Sequence, residues 1–195
     1  MQILQLVSSF GIGGAEKFVA DLSVELKAQG HEVTILVLDH AKDVGKDPDY
    51  EKNIIEYLNE KQVQVIHVGE KARRRPFTIL FTLNEVIKKL KPDVIHSHLL
   101  IWSVYLSTFW RSKKHVFTQH INFLKFPFIH KFFIRKSIDK YISICNEASN
   151  SMYKVIAKEN VCKVVNGVAL ERFSKVEKHQ RDEIVQFVTI SRLTD

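Results

Sequence analysis

The opening of the chain constrains its fold most. A buried-looking strand, Gln2-Ile3-Leu4-Gln5-Leu6-Val7, runs into a glycine turn, Gly11-Ile12-Gly13-Gly14, and then into a helix that opens at Ala15. That helix places Phe18, Val19, Leu22 and Leu26 on one face, the spacing of a stripe packed against a sheet. A glycine turn between a strand and a helix lets a ligand approach the backbone closely. It also aims the helix's unpaired N–H groups and positive dipole end at an anion. The chain therefore reads as opening with a phosphate-binding α/β unit. Its ligand is a dinucleotide cofactor or a nucleotide-activated substrate, and the plain alternative is a tight turn that binds nothing.

The dinucleotide reading asks for glycines at positions 11, 13 and 16, and the last of these is Glu16. The third glycine of that motif permits close helix–strand packing, and a carboxylate there faces the pyrophosphate. In its favour, Asp39 ends the second strand, at 33–38, about where a ribose-binding acid belongs. Two glycines and an acid without the third glycine make a partial match.

At 195 residues the chain is long enough for one domain with a substantial core and short for two. Hydrophobic residues make up 45% and charged residues 26%, an ordinary globular composition. No stretch reaches the ~20 apolar residues that span a bilayer; the longest candidate, 99–110, contains Ser103, Ser107 and Thr108. No basic region precedes an apolar core at the N-terminus, so it does not read as a signal peptide. Cys145 and Cys162 lie in strand-like contexts without metal-ligand spacing and read as buried, reduced thiols of a cytosolic protein.

The net charge of +7 is local. Residues 111–140 hold eight Lys or Arg against one acid, Asp139, so this segment carries all of it. Phe117, Phe123, Phe126, Phe128, Phe132 and Phe133 are interleaved with the cations.

Short apolar strands alternate with helical stretches along the chain. Helices are expected at 49–61, 77–90, 101–109, 127–137 and 147–157, and further strands at 63–68, 93–96, 115–118, 141–144 and 163–165. Continuous apolar strands in βαβ order predict an α/β, Rossmann-like parallel sheet with helices on both faces. Ligands of such sheets bind at the carboxyl ends of the strands. Residues 174–183 form a polar linker, and 184–190 read as one more apolar strand.

Several segments together resemble the N-terminal half of a family 4 glycosyltransferase of the GT-B fold. They are Phe10-Gly11-Ile12-Gly13-Gly14-Ala15-Glu16, Lys91-Pro92-Asp93-Val94-Ile95-His96-Ser97-His98, Thr118-Gln119-His120 and Ile142-Ser143-Ile144-Cys145-Asn146-Glu147. Val165-Asn166-Gly167-Val168-Ala169-Leu170-Glu171-Arg172-Phe173 is similar to a Pro-Asn-Gly-Val-Asp-x-x-x-Phe signature, with Val165 for the proline and Ala169 for the aspartate. Ile190-Ser191-Arg192-Leu193 resembles the opening of the donor domain. The resemblance divides the chain into an acceptor-binding domain at 1–173, a linker at 174–183 and the first strand of a donor-binding domain at 184–195.

It implies a retaining, hexosyltransferase-type enzyme that moves a sugar from a nucleotide-sugar donor to a saccharide or lipid-linked acceptor, in polysaccharide or glycolipid assembly. The backbone at Gly13 and Gly14 would close over the donor diphosphate, and Arg192 would reach it. No metal or other cofactor is implied, because fixed positive groups stabilise the departing diphosphate. The chain ends before the partner lysine and the Glu-x7-Glu element that grip the donor, so alone it is expected to be inactive. The alternative is a non-catalytic binding subunit, or a remnant needing a separate donor-domain partner, and the gene sequence beyond Asp195 discriminates the two.

His120, at a strand's carboxyl end, becomes a candidate to contact the donor sugar or leaving phosphate, against a histidine that only caps the strand. His96 and His98 share one strand face. Without a third ligand, His98 lining the acceptor pocket is a better reading than a metal pair. Glu16 is an acceptor contact or a first-turn carboxylate favouring the helix dipole. The basic, Phe-rich helix reads as a core stripe of Phe128, Ile129, Phe132 and Phe133 flanked by solvated Lys131, Arg135 and Lys136. It also reads as a dock on an anionic membrane at the inner face of the cytoplasmic membrane. Nucleic-acid binding is disfavoured, since no recognition module surrounds the patch.

Overall fold

A computed structural model describes residues 1–98, 102, 105, 106, 114–120 and 128–167, with the side chains of 128–130 excepted. Seven strands form one sheet in the order β3-β2-β1-β4-β5-β6-β7, every neighbouring pair parallel. They are β1 (Gln2–Val7), β2 (Glu32–Val37), β3 (Gln64–His67), β4 (Val94–Ser97), β5 (Lys114–Gln119), β6 (Lys140–Ser143) and β7 (Val161–Lys163). Between them run α1 (Gly14–Ala28), α2 (Pro48–Glu60), α3 (Pro76–Leu90), α4 (Phe128–Ser137) and α5 (Asn146–Met152). The expected Rossmann-like α/β fold is the fold observed.

Strand alternation divides the core between the two faces. Ile3 and Val7 of β1 meet Val33, Ile35 and Val37 of β2 under α1 and α2. Leu4 and Leu6 face the other way, onto Ile79, Leu83 and Ile87 of α3 and onto Trp102 and Leu106. A third cluster joins Phe117 and Tyr141 to Ile134, Ile138, Met152 and Val155. The winding order reverses between β1 and β4, so the carboxyl ends of these two strands flank the switch point of the sheet.

Several local expectations are corrected. On α1, Val19, Ala20 and Ser23 are buried. Phe18 and Leu26 pack part-buried against the same core, and with Leu22 they also line an open, mostly apolar groove of about 270 Å³ beside Ile3, Val94, Val116 and Ile142. Helix α5 stops at Met152 rather than near 157, because Val155 and Ile156 both donate to the Met152 carbonyl and turn the chain. Strand β7 lies two residues before its expected place, paired with Tyr141, Ile142 and Ser143, and leaves Val164 and Val165 exposed. Cys162 is exposed and Cys145 partly so, both as free thiols, which corrects the expectation of burial.

The inward residues are Ile134 of α4 and Ile138 just after it, while Phe132 of the expected core stripe is 56% exposed. A residue at 134 points to the sheet where 132 cannot, because two residues separate side chains by about 200° around a helix. The expected helix at 101–109 is described only at Trp102, Tyr105 and Leu106, which are helical. The linker at 174–183, the strand at 184–195 and Arg192 lie outside the described residues, as does most of the segment beginning at Val165-Asn166-Gly167. Among the described residues, no helix is long and apolar enough to cross a membrane.

Candidate functional site

The glycine turn sits at the switch point. Phe10 is fully buried and anchors the turn, Ile12 points to solvent, and Gly13 is the N-cap of α1 in extended conformation. No side chain caps the helix, so its first-turn N–H groups are not taken by a capping oxygen. That is the condition an incoming anion requires. At Gly14, the first helical residue, an added Cβ would meet open space. At Gly13 it would collide with the Glu16 carboxylate, and at Gly11 with the stem of Lys46.

Glu16 does not face the turn as a free charge. Its Oε1 receives Lys46 Nζ at 2.6 Å, and the carboxylate is largely buried. Lys46, which follows the 3-10 turn after β2, was invisible in the sequence because thirty residues separate it from its partner. The pair removes the repulsion that a lone carboxylate would exert on a phosphate beside it. The acid of the dinucleotide reading is also engaged. Buried Asp39 is ion-paired with Arg73 Nε and accepts the Arg73 N–H at 3.2 Å. It stands closed to a ribose.

Beyond the turn, the strands bring a row of polar side chains onto the face that α1 covers. The parallel register puts Gln5 beside His96, and His96 beside Val116. Thus Gln5, His96, Thr118, His98 and His120 share one side of the sheet. His96 and Thr118 are joined by Nε2 and Oγ1 at 2.8 Å. Burial, with His115 and His120 nearby, pushes the His96 imidazole down to about 3. It is neutral and structural.

His98 and His120, which the sequence placed at strand ends, are brought together. His98 Nδ1 lies 3.0 Å from His120 Nε2, and His98 Nε2 lies 2.8 Å from Gln5 Oε1. The amide oxygen of Gln5 can only accept, so His98 carries its proton on Nε2 and offers a lone pair at Nδ1. His120 must then donate from Nε2, which leaves His120 Nδ1 as an acceptor. Among the described residues that buried nitrogen has no hydrogen-bond partner. Burial lowers both imidazoles, His98 well below its ordinary value with His96 and His120 adding to the effect. The shift of His120 is opposed by the Glu16 carboxylate. Phe18 packs edge-on against both rings, at 6.3 and 5.2 Å between centroids.

The arrangement is a relay, Gln5 to His98 to His120, and among the described residues a buried nitrogen is left without a hydrogen-bond partner at each end, Gln5 Nε2 and His120 Nδ1. Sequence reasoning missed Gln5. Its signal was a glutamine inside an otherwise apolar, fully buried strand, where an amide stays only if it has a partner.

The cations of α4 divide. Arg135 Nε donates to the Val155 carbonyl at 2.7 Å and ties α4 to the segment after α5. Arg135 and Lys136 are exposed and Lys131 partly so, beside exposed Phe132. Among the described residues, the paired histidines of the sequence reading do not gather a third ligand. The described residues bring together a different group, His40, Glu51 and His67.

No curated protein sequence matches the chain significantly. Among solved structures, HepE of Anabaena in complex with UDP-glucose is similar over 91% of this chain and 47% of its own, with TM-score 0.64 and 15% identity. A glycosyltransferase of Rickettsia africae matches over 87% and 44%, with TM-score 0.63 and 21% identity. The lipopolysaccharide outer core galactosyltransferase WaaB matches over 87% and 47%, with TM-score 0.63 and 14% identity. The chain thus spans about half the length of these neighbours and shares the fold of one half of a GT-B glycosyltransferase. The model of Glycosyltransferase Family 4 matches residues 12–172, which runs from the glycine turn through every strand but the first, and the chain belongs to that family.

Proposed function

We propose that this chain is the acceptor-side half of a retaining glycosyltransferase of hexosyltransferase type, which passes a sugar from a nucleotide-sugar to a saccharide or lipid-linked acceptor in polysaccharide or glycolipid assembly. The observation that carries the reading is His120 Nδ1, without a hydrogen-bond partner among the described residues, beside an uncapped, glycine-built helix start in a chain of this family. UDP-sugars are the first donors to test, because HepE is complexed with UDP-glucose.

In this reading the diphosphate docks on the N–H groups that follow Gly13 and Gly14, where the helix dipole favours negative charge. Lys46 holds Glu16 aside, and Arg192 adds charge to the departing diphosphate, so that fixed groups rather than a metal stabilise it. The relay orients His120 toward the sugar. Neutral, His120 Nδ1 accepts from a sugar hydroxyl; protonated, it donates to an oxygen where charge develops. His98 positions His120 and lines the acceptor side. The anomeric C–O bond to the diphosphate breaks, the acceptor hydroxyl oxygen bonds the same carbon, and the hydroxyl proton passes to the departing diphosphate oxygen.

Calorimetry and a transfer assay test this. The 195-residue chain alone should bind UDP-hexoses only in the millimolar range, ~−4 kcal/mol, and transfer no sugar. In the two-domain protein, His120→Ala should lower kcat by roughly 100-fold. Sub-micromolar donor binding by the half alone, turnover by it, or an unaffected His120→Ala enzyme would each overturn the assignment.

A further inference from the structure

We propose that His40, Glu51 and His67 form a binding site for a transition-metal dication of the zinc type. The three side chains come from three elements. His40 follows β2, Glu51 lies in the first turn of α2, and His67 ends β3. Their candidate ligand atoms all lie within 4.8 Å of one another. Glu51 Oε1 is 3.3 Å from His67 Nε2, and Glu51 Oε2 is 3.8 Å from His40 Nδ1. Ligands bound at 2.0–2.1 Å on a tetrahedral ion stand roughly 3.3 Å apart, so the Glu51–His67 pair already has the required spacing and His40 must close on it.

The donor set decides the metal class. Two imidazole nitrogens and one carboxylate oxygen suit zinc and its first-row neighbours, whereas magnesium and calcium take oxygen ligands. The carboxylate is already oriented, because Oε2 accepts the Ala41 backbone N–H at 3.0 Å and leaves Oε1 turned toward His67. Such outer bonds fix the direction of a ligand. Glu51 is buried while both histidines are partly exposed, so an ion has a path in and a place for water as a fourth ligand. The two imidazoles now stack at 4.1 Å and 9°. Binding requires His40 to rotate out of that stack so that both lone pairs converge. A bound ion would pin the β2–α2 connection to the end of β3, two strands away from the switch point.

Untagged protein stripped with chelator and titrated with Zn²⁺ and Co²⁺ tests the site. Zn²⁺ should bind with one-to-one stoichiometry and raise Tm, since an ion that binds only the folded state stabilises it. Co²⁺ should give a visible spectrum of nitrogen and oxygen ligation, without the thiolate band that Cys145 or Cys162 would produce. His67→Ala and Glu51→Gln should each weaken Zn²⁺ binding by about tenfold or more. If a variant misfolds, histidine-ring NMR of the wild-type protein decides, because Zn²⁺ must shift His40 and His67 and leave His96 and His115 in place. No binding by the wild-type protein, a thiolate band, unshifted His40 and His67 rings, or unchanged affinity in folded variants would overturn the proposal.

Discussion

Gly14 shows how much one side chain decides. A Cβ there meets nothing in the protein, so Gly14→Val leaves the packing alone and changes only what can approach the helix start. The variant should fold with an unchanged Tm, while the full enzyme loses turnover by roughly 100-fold as the diphosphate is held off the N–H groups. Steady-state kinetics beside a thermal melt measures both; a folded mutant with wild-type turnover would remove the turn from the donor site. His120 owes its character to neighbours rather than to its own type. Gln5 can only accept through its oxygen, which sets the proton on His98, which in turn sets the free nitrogen of His120. The strand ends made both histidines legible as candidates. The relay between them was not, because it depends on a glutamine from β1 facing β4.

At the scale of elements, α4 is the part whose sequence pattern misled. Its phenylalanines suggested a core stripe, yet Ile134 and Ile138 do the packing and Phe132 stands out beside Lys131 and Lys136. An exposed aromatic flanked by cations, in the segment holding the whole net charge, makes docking of α4 on an anionic surface a testable expectation. Each such cation contributes about 1 kcal/mol near the surface, within a Debye length of ~8 Å. Flotation with anionic vesicles should recover the wild-type chain at low salt and lose it at high salt. The Phe132→Ala, Lys131→Glu, Lys136→Glu triple variant should stay with the soluble fraction; equal behaviour of the two proteins would end the membrane reading. Arg135 is left out because its bond to the Val155 carbonyl holds α4 in place. Apart from the end of α5 and the place of β7, the other elements were readable from the sequence. Asp47 caps α2 and Pro48 opens it, one residue before the expected start at 49. β7 was misplaced because Val164 and Val165 are the more apolar pair, while Val161 and its neighbours have a strand to pair with.

At the scale of the whole molecule, folding buries histidines that the unfolded chain would leave in water. His96 is pushed to about 3 and His115 to about 4, each chiefly by burial. Their folded values lie below the ordinary 6.5, so the unfolded chain binds the extra protons between those limits. Stability should therefore be full above pH 6.5 and fall as pH drops toward 4, by about 1.4 kcal/mol per pH unit for each of the two. Urea titrations across that range measure the slope, and His115→Gln should flatten it; a stability independent of pH there would contradict the burial of these rings. The sequence by itself determined the class of fold, since apolar strands alternating with amphipathic helices can bury both patterns only in a doubly covered parallel sheet. It also determined the helix-start turn, because that is a local matter of three glycines between a strand and a helix. Only the tertiary structure decided the chemistry around it. Lys46 meets Glu16, Arg73 occupies Asp39, Gln5 orders His98 and His120, and Glu51 gathers His40 and His67. Each of these contacts joins residues far apart in the chain, and strand order and register, which no local pattern encodes, bring them within hydrogen-bonding reach.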